Sequence, residues 1–538
     1  MGNNLVGNNI TIASFLLFTG IIAFVAWRQS RKTKVDTLSG LFLAGRSLGF
    51  LVVGGGLLFA NINTATMVGE NELVYTNNMT VMAWGMTSVL AMLVVSEFIM
   101  PIYLRTGIAT TPEYLARRYD RATGKLVSVI FLVSYVVNLL PTVLYSGAVA
   151  FNGLFHLSDR LGVGYWPTIW LLVWVMGATG CLYSVLGGLR AIAVSDTLLG
   201  MGIFAGGVLL PFFALRYVGH GDLVAGLHTV LSTHKDHLNS IGRATDAIPF
   251  PTLFTGMILV NLYYWGTEQY IVQQVLASRD LKTCQQGIAV ACVGKLVSPL
   301  LLNIPGLIAV HVFSHMHNTA EVFPALSALV SPPFISGYFA ALIFGAGLST
   351  FNAGLNSSST LFVLNIYRPW RVAKGLNVEE KAMVRVAKRF ELAICFLAMT
   401  IGPFLVFAKS GFYTYVQTVN GFFNVPIFTV IFVGMVTRRV PPVAAKVGLV
   451  FFIVSYGLTR TVLPVPLHFL HVLAILFLVT AALMLGIGRI WPMEEPYRLV
   501  ENNKVELTPW RYRYIYAILL LAAMVGAFAL FSPAGLAK

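Results

Sequence analysis

Long apolar runs separated by short polar stretches fill this chain, a pattern typical of a protein with many membrane-spanning helices. Two of the apolar runs are interrupted by polar residues, one at Asn61–Thr64 and the other at Asn261–Gly266. Backbone groups without partners are costly in lipid, so an interruption survives only where it lines a polar cavity. A matched pair of interrupted spans is typical of the binding site of a secondary transporter.

The periodicity predicts an all-helical membrane protein with about fourteen spans. They lie near residues 10–27, 47–75, 81–104, 126–156, 166–187, 194–215, 250–277, 286–313, 334–366, 391–408, 411–436, 444–463, 466–488 and 515–533. The interrupted spans open two predicted repeats of five helices, at 47–217 and 250–436. Because five is odd, the second repeat is inverted relative to the first.

The remaining segments are predicted to be peripheral to the two repeats. Residues 1–46 form a helix followed by a cytoplasmic loop, 218–249 form an extracellular loop, and 437–538 form three further helices. None of the polar loops is long enough for a separate soluble core.

Composition supports a membrane protein and excludes several functions. Hydrophobic residues make up 57% of the chain, charged residues 11%, and the mean hydropathy is +0.78. The net charge is +15, but 28 of the 36 Lys and Arg fall in alternate loops, beginning with 28–46. That distribution is the positive-inside bias, so it places both termini outside and indicates no nucleic-acid partner. No GxxxxGK[ST] motif is present, so transport has to draw on a gradient.

Hydroxyl residues in the span 334–366 suggest an ion site. Ser349 and Thr350 could simply allow close helix packing, or they could join backbone carbonyls freed at the first break to bind a small hard cation. Since the break supplies the carbonyls, we favour the ion site. Asp196 is interpreted either as a helix N-cap or as an ion way-station near the cytoplasmic mouth.

Lys295 lies near the middle of its span, where a charge costs roughly 2.5–3.5 kcal/mol. We therefore expect it to face a polar cavity. Gln417 is as consistent with a helix–helix hydrogen bond as with a ligand contact. No nucleophile–base pair or metal-ligand set suggests an enzyme.

Five stretches resemble the sodium:solute symporter family, and most closely its bacterial sodium/sugar (sodium/galactose-like) branch. They are FLAGRSL (42–48), ATTPEYLARRY (109–119), YSVLGGLRAIAVSDT (183–197), NLYYWGTEQYIVQQVLAS (261–278) and LNSSSTLFVLNIY (355–367). The resemblance implies a LeuT-like core of five plus five helices with discontinuous first and sixth core helices. It also implies sodium as the co-transported ion and a bacterial inner-membrane location. The sequence gives no sign of an obligatory protein partner.

The resemblance assigns roles to particular residues. For sodium it implies carbonyls of Phe59, Ile62 and Ala346, hydroxyls of Ser349 and Thr350, and passage past Asp196. For the solute it implies hydroxyl contacts from Asn61, Ser88, Asn261, Lys295 and Gln417, with Tyr264 stacking on a sugar ring and closing the inner gate beside Trp265. Trp84 and Tyr413 match outer-gate aromatics.

Two positions depart from that pattern. Gly85 stands where the branch usually has a glutamate, and Thr66 stands where it has glutamine or histidine. Lys295 therefore lacks its expected anion. Either the solute is anionic, such as a sugar acid or sialic acid, or one of Glu70, Glu72 and Glu268 supplies the charge.

We accordingly predict sodium-coupled import of a sugar-like, polyhydroxylated solute by alternating access. The alternatives are a symporter for an anionic sugar acid, another organic acid or an osmolyte, a solute sensor that does not transport, and a passive channel.

Overall fold

A computed structural model describes residues 2–30, 37–316, 318–407, 412–463, 465–499, 501 and 505–538. In its first part the helices are α1 Gly2–Ser30, α2 Leu38–Leu43, α3 Phe50–Asn61, α4 Thr64–Thr76, α5 Met82–Val94, α6 Met100–Thr106, α7 Thr111–Arg118, α8 Arg121–Ser134, α9 Leu140–Phe155, α10 Leu157–Leu161, α11 Tyr165–Val218 and α12 Leu223–Ser232.

The second part is also helical. Its helices are α13 Gly256–Gly266, α14 Gln269–Leu276, α15 Leu281–Leu302, α16 Ile304–Val312, α17 Val322–Val330, α18 Pro333–Phe362, α19 Arg368–Ala373, α20 Glu380–Ile401, α21 Phe412–Asn420, α22 Asn424–Val436, α23 Pro442–Thr461, α24 Phe469–Ile490 and α25 Arg513–Leu530. Short π-helical turns at Val95–Ile99, Tyr135–Leu139 and Val363–Tyr367 join α5 to α6, α8 to α9 and α18 to α19.

Within the described residues, eleven helical segments are long and apolar enough to cross a membrane, and the bent pair α3–α4 makes twelve. The predicted count of fourteen is not confirmed. The first predicted span falls in α1, in which the search of the described residues gives a shorter apolar helix, Asn9–Val25. The predicted span 250–277 is divided between α13 and α14, each shorter than the roughly 20 residues that a bilayer requires.

The first break is where the sequence predicts it. Helix α3 ends at Asn61, Ile62 takes a non-helical ψ of 87°, and α4 leaves at 55° to α3. The Asn63 side chain caps α4 by accepting a hydrogen bond from the Thr66 amide at 2.9 Å. Local side chains therefore satisfy the backbone that the break exposes.

The second break comes later than predicted. Helix α13 runs unbroken through Asn261 to Gly266, and the chain turns at Thr267 and Glu268 before α14. The side chain of Asn261 has tertiary partners within the helical stretch: its Nδ2 donates to Thr87 Oγ1 at 3.0 Å, and its Oδ1 accepts from Ser88 Oγ at 2.7 Å. Because these partners satisfy the buried amide, α13 need not break there.

Buried polar side chains anchor α14, all eight residues of which are buried. Gln273 Nε2 donates to the Phe42 carbonyl at 2.7 Å and to Asn356 Oδ1 and Thr360 Oγ1 at 2.9 Å each. Ser357 Oγ donates to Gln273 Oε1 at 2.7 Å. We call Gln273, Asn356, Ser357 and Thr360 the amide cluster. It joins α14 to α18 and to the Phe42 carbonyl in α2.

Candidate solute and ion sites

A cavity of about 140 Å³ lies between the two broken helices. A cavity needs about 10–15 Å³ to hold one water, when both volumes are counted as space open to the centre of a water-sized sphere. This cavity therefore has room for a small solute. Its walls are Asn61, Asn63, Ala65, Thr66, Glu70, Trp84, Ser88, Asn138, Leu139, Thr142, Val143, Val260, Asn261, Tyr264, Tyr270, Lys295, Val416, Gln417, Asn420 and Asn424.

Side-chain amides dominate the polar part of the wall. They are Asn61, Asn63, Asn138, Asn261, Gln417, Asn420 and Asn424. Each amide offers two donor hydrogens and an acceptor oxygen, which matches a hydroxyl that both donates and accepts. The wall is therefore suited to a solute rich in hydroxyl groups.

Most of the predicted solute residues meet at this cavity. Lys295, which is 4% exposed, donates from Nζ to Asn61 Oδ1 at 2.7 Å. Ser88 Oγ donates to Asn261 Oδ1 at 2.7 Å. Gln417 also lines the wall. The broken helix α3 and the helices α5, α13 and α15 thus place these side chains around one space.

Two of the four predicted aromatic residues line the cavity. Tyr264 lines the cavity, and its hydroxyl lies 2.7 Å from the hydroxyl of Tyr270, with which it forms one end of the space. Trp84 lines the wall too. Trp265 is buried behind Tyr264 in an edge-to-face contact at 5.1 Å between ring centroids, outside the wall. The Tyr413 side chain lies outside the described residues.

Sequence reasoning missed one wall. Asn138 Nδ2 donates to Asn420 Oδ1 at 2.7 Å, and Asn420 Nδ2 donates to Gln417 Oε1 at 3.2 Å. Thr142 Oγ1 reaches Asn138 Oδ1 at 3.3 Å. The signal in the sequence was the single Asn138 within the apolar run SYVVNLL. A lone amide in a membrane helix indicates an interior-facing position.

The three glutamates proposed as a counter-charge for Lys295 have different surroundings. Glu70 is 6% exposed and lines the cavity together with Lys295, near Asn303. Glu72 accepts a hydrogen bond from Thr319 at 2.6 Å and is not in the wall. Glu268 accepts from Tyr263 at 2.6 Å and from Tyr135, also away from the wall. Only Glu70 shares the cavity with Lys295.

Gly85 marks a close helix contact beside the cavity. A Cβ atom at this position would lie 2.6 Å from Pro299 Cγ and 3.4 Å from the Lys295 carbonyl. Helices α5 and α15 therefore touch where another family member would place a longer side chain. The departure from the family pattern has a steric basis in this chain.

The predicted ion residues come from the end of α3, from α11 and from α18, and α18 contacts the end of α3. Thr350 Oγ1 donates to the carbonyl of Ala60 at 2.8 Å. The Ala60 carbonyl is therefore a further candidate ligand beside the carbonyls that the resemblance implies. Ser349 Oγ is buried and has no hydrogen-bond partner among the described residues. Ala346 lies one turn earlier on α18 and is 1% exposed. A buried hydroxyl without a partner is costly, which favours a ligand at this point.

Phe59 and Ile62, whose carbonyls the resemblance implies as sodium ligands, lie at the end of α3. Ile62 caps α3, and the Phe59 ring packs against Phe204 at 5.7 Å between centroids. The last carbonyls of a helix have no partner within that helix. Both residues therefore lie where free carbonyls occur.

Asp196 is fully buried within α11, in the segment Gly188–Val218. The N-cap interpretation is wrong, because the helix begins well before this residue. Neither carboxylate oxygen has a hydrogen-bond partner of standard geometry among the described residues, and Ser349 and Gln274 are the polar side chains beside it. Carboxylate, hydroxyl and carbonyl oxygens together form a donor set for a hard cation.

Comparisons with known proteins place the chain among symporters in sequence and in fold. The uncharacterized symporter YidK of Escherichia coli K12 is 40% identical over 522 residues, covering 97% of this chain and 91% of that protein. The sodium/glucose cotransporter of Vibrio parahaemolyticus is 26% identical over 486 residues, covering 86% and 87%. A Na⁺-coupled sialic acid symporter, solved in a substrate-bound outward-open state, superimposes with a TM-score of 0.77 at 18% identity, covering 91% and 99%.

The structural likeness shows the fold. The predicted discontinuous helices correspond to α3–α4 and to α13–α14. A sequence model described as the sodium:solute symporter family matches residues 41–451. The chain belongs to the sodium:solute symporter family, and it is a multi-pass membrane protein with its polar cavity between the two broken helices.

Proposed function

We propose that this protein imports a neutral, polyhydroxylated solute of about monosaccharide size together with sodium. The observation that carries the proposal is the cavity wall, in which seven amides surround a space bordered by Tyr264. Each net hydrogen bond contributes about 0.5–1.5 kcal/mol, so a solute with several hydroxyls gains useful affinity. Relatives named for glucose and myo-inositol transport support the same solute class.

Sodium would bind between α3 and α18, with Ser349, Thr350, Asp196 and the carbonyls of Phe59, Ile62 and Ala346 as its proposed ligands. The ion would hold the end of α3 and so fix Asn61 in the solute cavity. Coupling follows, because the solute then meets a formed wall only when sodium is bound. One sodium ion entering across ~100 mV supplies about 2.3 kcal/mol, and a tenfold gradient adds about 1.4 kcal/mol.

Alternating access would use the aromatic residues at the cavity. Tyr264 and Tyr270 join their hydroxyls on the side of α14, and Tyr264 has to move for release inward. Trp84, with Tyr413, would close the opposite side. Opening toward the cytoplasm also requires the amide cluster to separate.

We further propose a bacterial inner-membrane location with both termini outside the cytoplasm. The bias of Lys and Arg toward alternate loops supports this orientation. The protein acts as a transporter and not as an enzyme, with lipid, sodium and the solute as its partners, and with no nucleic acid or obligatory protein partner.

Uptake into proteoliposomes tests the proposal. Labelled glucose, galactose and myo-inositol are offered under inward gradients of sodium, potassium or protons, with empty liposomes as the control. We expect saturable uptake driven by sodium alone. Equal uptake under all three cations, or uptake that does not saturate, would overturn it in favour of a uniporter or a channel.

A further inference from the structure

We propose that Glu70 selects neutral solutes, because its carboxylate balances the charge of Lys295 across the cavity and accepts hydrogen bonds from solute hydroxyls. The inference rests on the proposed function and names the residue that sets the solute class. No role for Glu70 follows from the family resemblance.

The position of Glu70 makes it available to a solute. It lies on α4, six residues after the start of that helix at Thr64, or about 9 Å toward the side away from α14. It is more than nine-tenths buried, yet it borders the cavity. Glu72, two residues further along, is also buried but is held by Thr319 instead. Glu70 is therefore the carboxylate that a bound solute meets.

The charges of the wall cancel when the cavity holds a neutral solute. Among the described residues that line it, Glu70 carries the only carboxylate and Lys295 the only ammonium group. A charge inside a membrane protein is costly unless an opposite charge lies nearby. An anionic solute would leave two negative charges against one positive charge, and it would compete with Glu70 for Lys295. Exclusion of anions follows from the pair.

The opposite wall offers no alternative carboxylate. At Gly85, α5 has no room for a side chain, since a Cβ atom there would lie 2.6 Å from Pro299 Cγ. A carboxylate acceptor for solute hydroxyls has to come from another helix, and α4 provides it in Glu70. A hydroxyl that donates to a carboxylate forms a shorter and stronger hydrogen bond than one that donates to an amide.

The test compares a neutral sugar with its own acid. Glucose and glucuronate share a ring and differ in a hydroxymethyl against a carboxylate, as do galactose and galacturonate. The labelled solute is a neutral one that the wild-type protein takes up with sodium. Each unlabelled sugar and its acid are added as competitors, and the inhibition ratio is the inhibitory concentration of the acid divided by that of the sugar. We expect the wild type to prefer the neutral member by tenfold or more.

Glu70→Gln keeps the shape of the side chain and removes its charge. We expect neutral-sugar affinity to fall about tenfold or more and the uronate to become a competitor, so the ratio falls in two ways. Adding Lys295→Gln should abolish uronate competition again without restoring sugar affinity. Glu72→Gln, a buried glutamate on the same helix but outside the cavity, should leave the ratio unchanged.

Folding is checked by the sodium-dependent rise in thermal stability, since the proposed ion residues lie away from Glu70. If Glu70→Gln lacks that rise, Glu70→Asp replaces it; its retained charge should still exclude the uronate while sugar affinity falls. A wild type that takes up sugars while folded Glu70 variants keep the wild-type ratio would overturn the inference alone. A wild type that takes up only the acids, or no solute of the panel, would overturn the proposed function and the inference together.

Discussion

Removing the Ser349 hydroxyl should have opposite effects on the sodium-free and the sodium-bound protein. Ser349 Oγ is buried and has no hydrogen-bond partner among the described residues, although Asp196 lies beside it. The substitution Ser349→Ala deletes this oxygen and little else. If the oxygen exists to bind sodium, the sodium-free protein gains from losing it and the sodium-bound protein does not.

The magnitudes follow from two terms. A buried polar atom without a partner costs about 1–3 kcal/mol, so sodium-free Ser349→Ala should unfold at the same or a higher free energy than the wild type. At a sodium concentration of about 100 times Kd, the wild type gains about 2.7 kcal/mol from the ion. A tenfold loss of affinity lowers that gain to about 1.4 kcal/mol, and a hundredfold loss lowers it to about 0.4 kcal/mol.

The assay is thermal unfolding of the purified protein in a sodium titration, with choline chloride holding the ionic strength constant. The sodium concentration at half-maximal uptake provides a second measurement. Ser358→Ala is the matched control, since it lies on the same helix, is buried, and donates to the Gly354 carbonyl at 2.8 Å. The control should keep the full sodium response.

The reverse pattern would refute a sodium-binding role for the Ser349 hydroxyl. A sodium-free Ser349→Ala protein that is less stable than the wild type by more than about 1 kcal/mol, with an unchanged sodium response, would mean that the hydroxyl serves packing.

Three further substitutions test other parts of the molecule. Gln273→Leu leaves several buried partners of the amide cluster unpaired, at about 1–3 kcal/mol each, so it should weaken the conformation that is closed to the cytoplasm. The reporter is Val143→Cys, a cavity-lining position, alkylated from the cytoplasmic side of inside-out vesicles. Adding Gln273→Leu should raise the alkylation rate tenfold or more, and an unchanged rate would contradict the prediction. Tyr264→Phe removes one hydrogen bond but keeps the ring, so binding assays should show solute affinity within about tenfold of wild type, whereas a complete loss of binding would mean that the hydroxyl itself holds the solute. Gly85→Ala places a methyl group against Pro299 and should lower the free energy of unfolding by about 1–3 kcal/mol. Gly486→Ala is the control, since no atom lies within 4 Å of its added Cβ, and it should be neutral or stabilising. Equal effects of the two substitutions would argue against the close contact at Gly85.

Much of the fold was predictable because its signals are local. Polar residues inside an apolar run located the first break at Asn61–Thr64, and the structure breaks there. The second break was placed too early, since whether Asn261 interrupts a helix depends on Ser88 and Thr87, which are distant in sequence and accept or supply its hydrogen bonds. Tertiary partners decided the outcome, and no local pattern contains them.

The candidate site shows the same division. Asn61 and Lys295 were recognisable as polar groups in apolar spans, and they meet at 2.7 Å. The choice of Glu70 over Glu72 and Glu268 needed the structure, because all three are buried and only their neighbours distinguish them. Asp196 was ambiguous for a related reason, since the helix start that would make it an N-cap had to be located first.

The amide cluster around Gln273 has a consequence for the temperature dependence of transport. Separating two apolar surfaces raises the heat capacity, whereas exposing polar groups lowers it. Helix α14 buries apolar residues, Ile271, Val272, Val275 and Leu276, as well as the polar amide cluster. As the helices part, exposure of the amides and hydroxyls offsets part of the heat-capacity increase that exposure of the apolar residues brings. The activation enthalpy of the inward-opening step should then vary less with temperature than it would if the closure were wholly apolar.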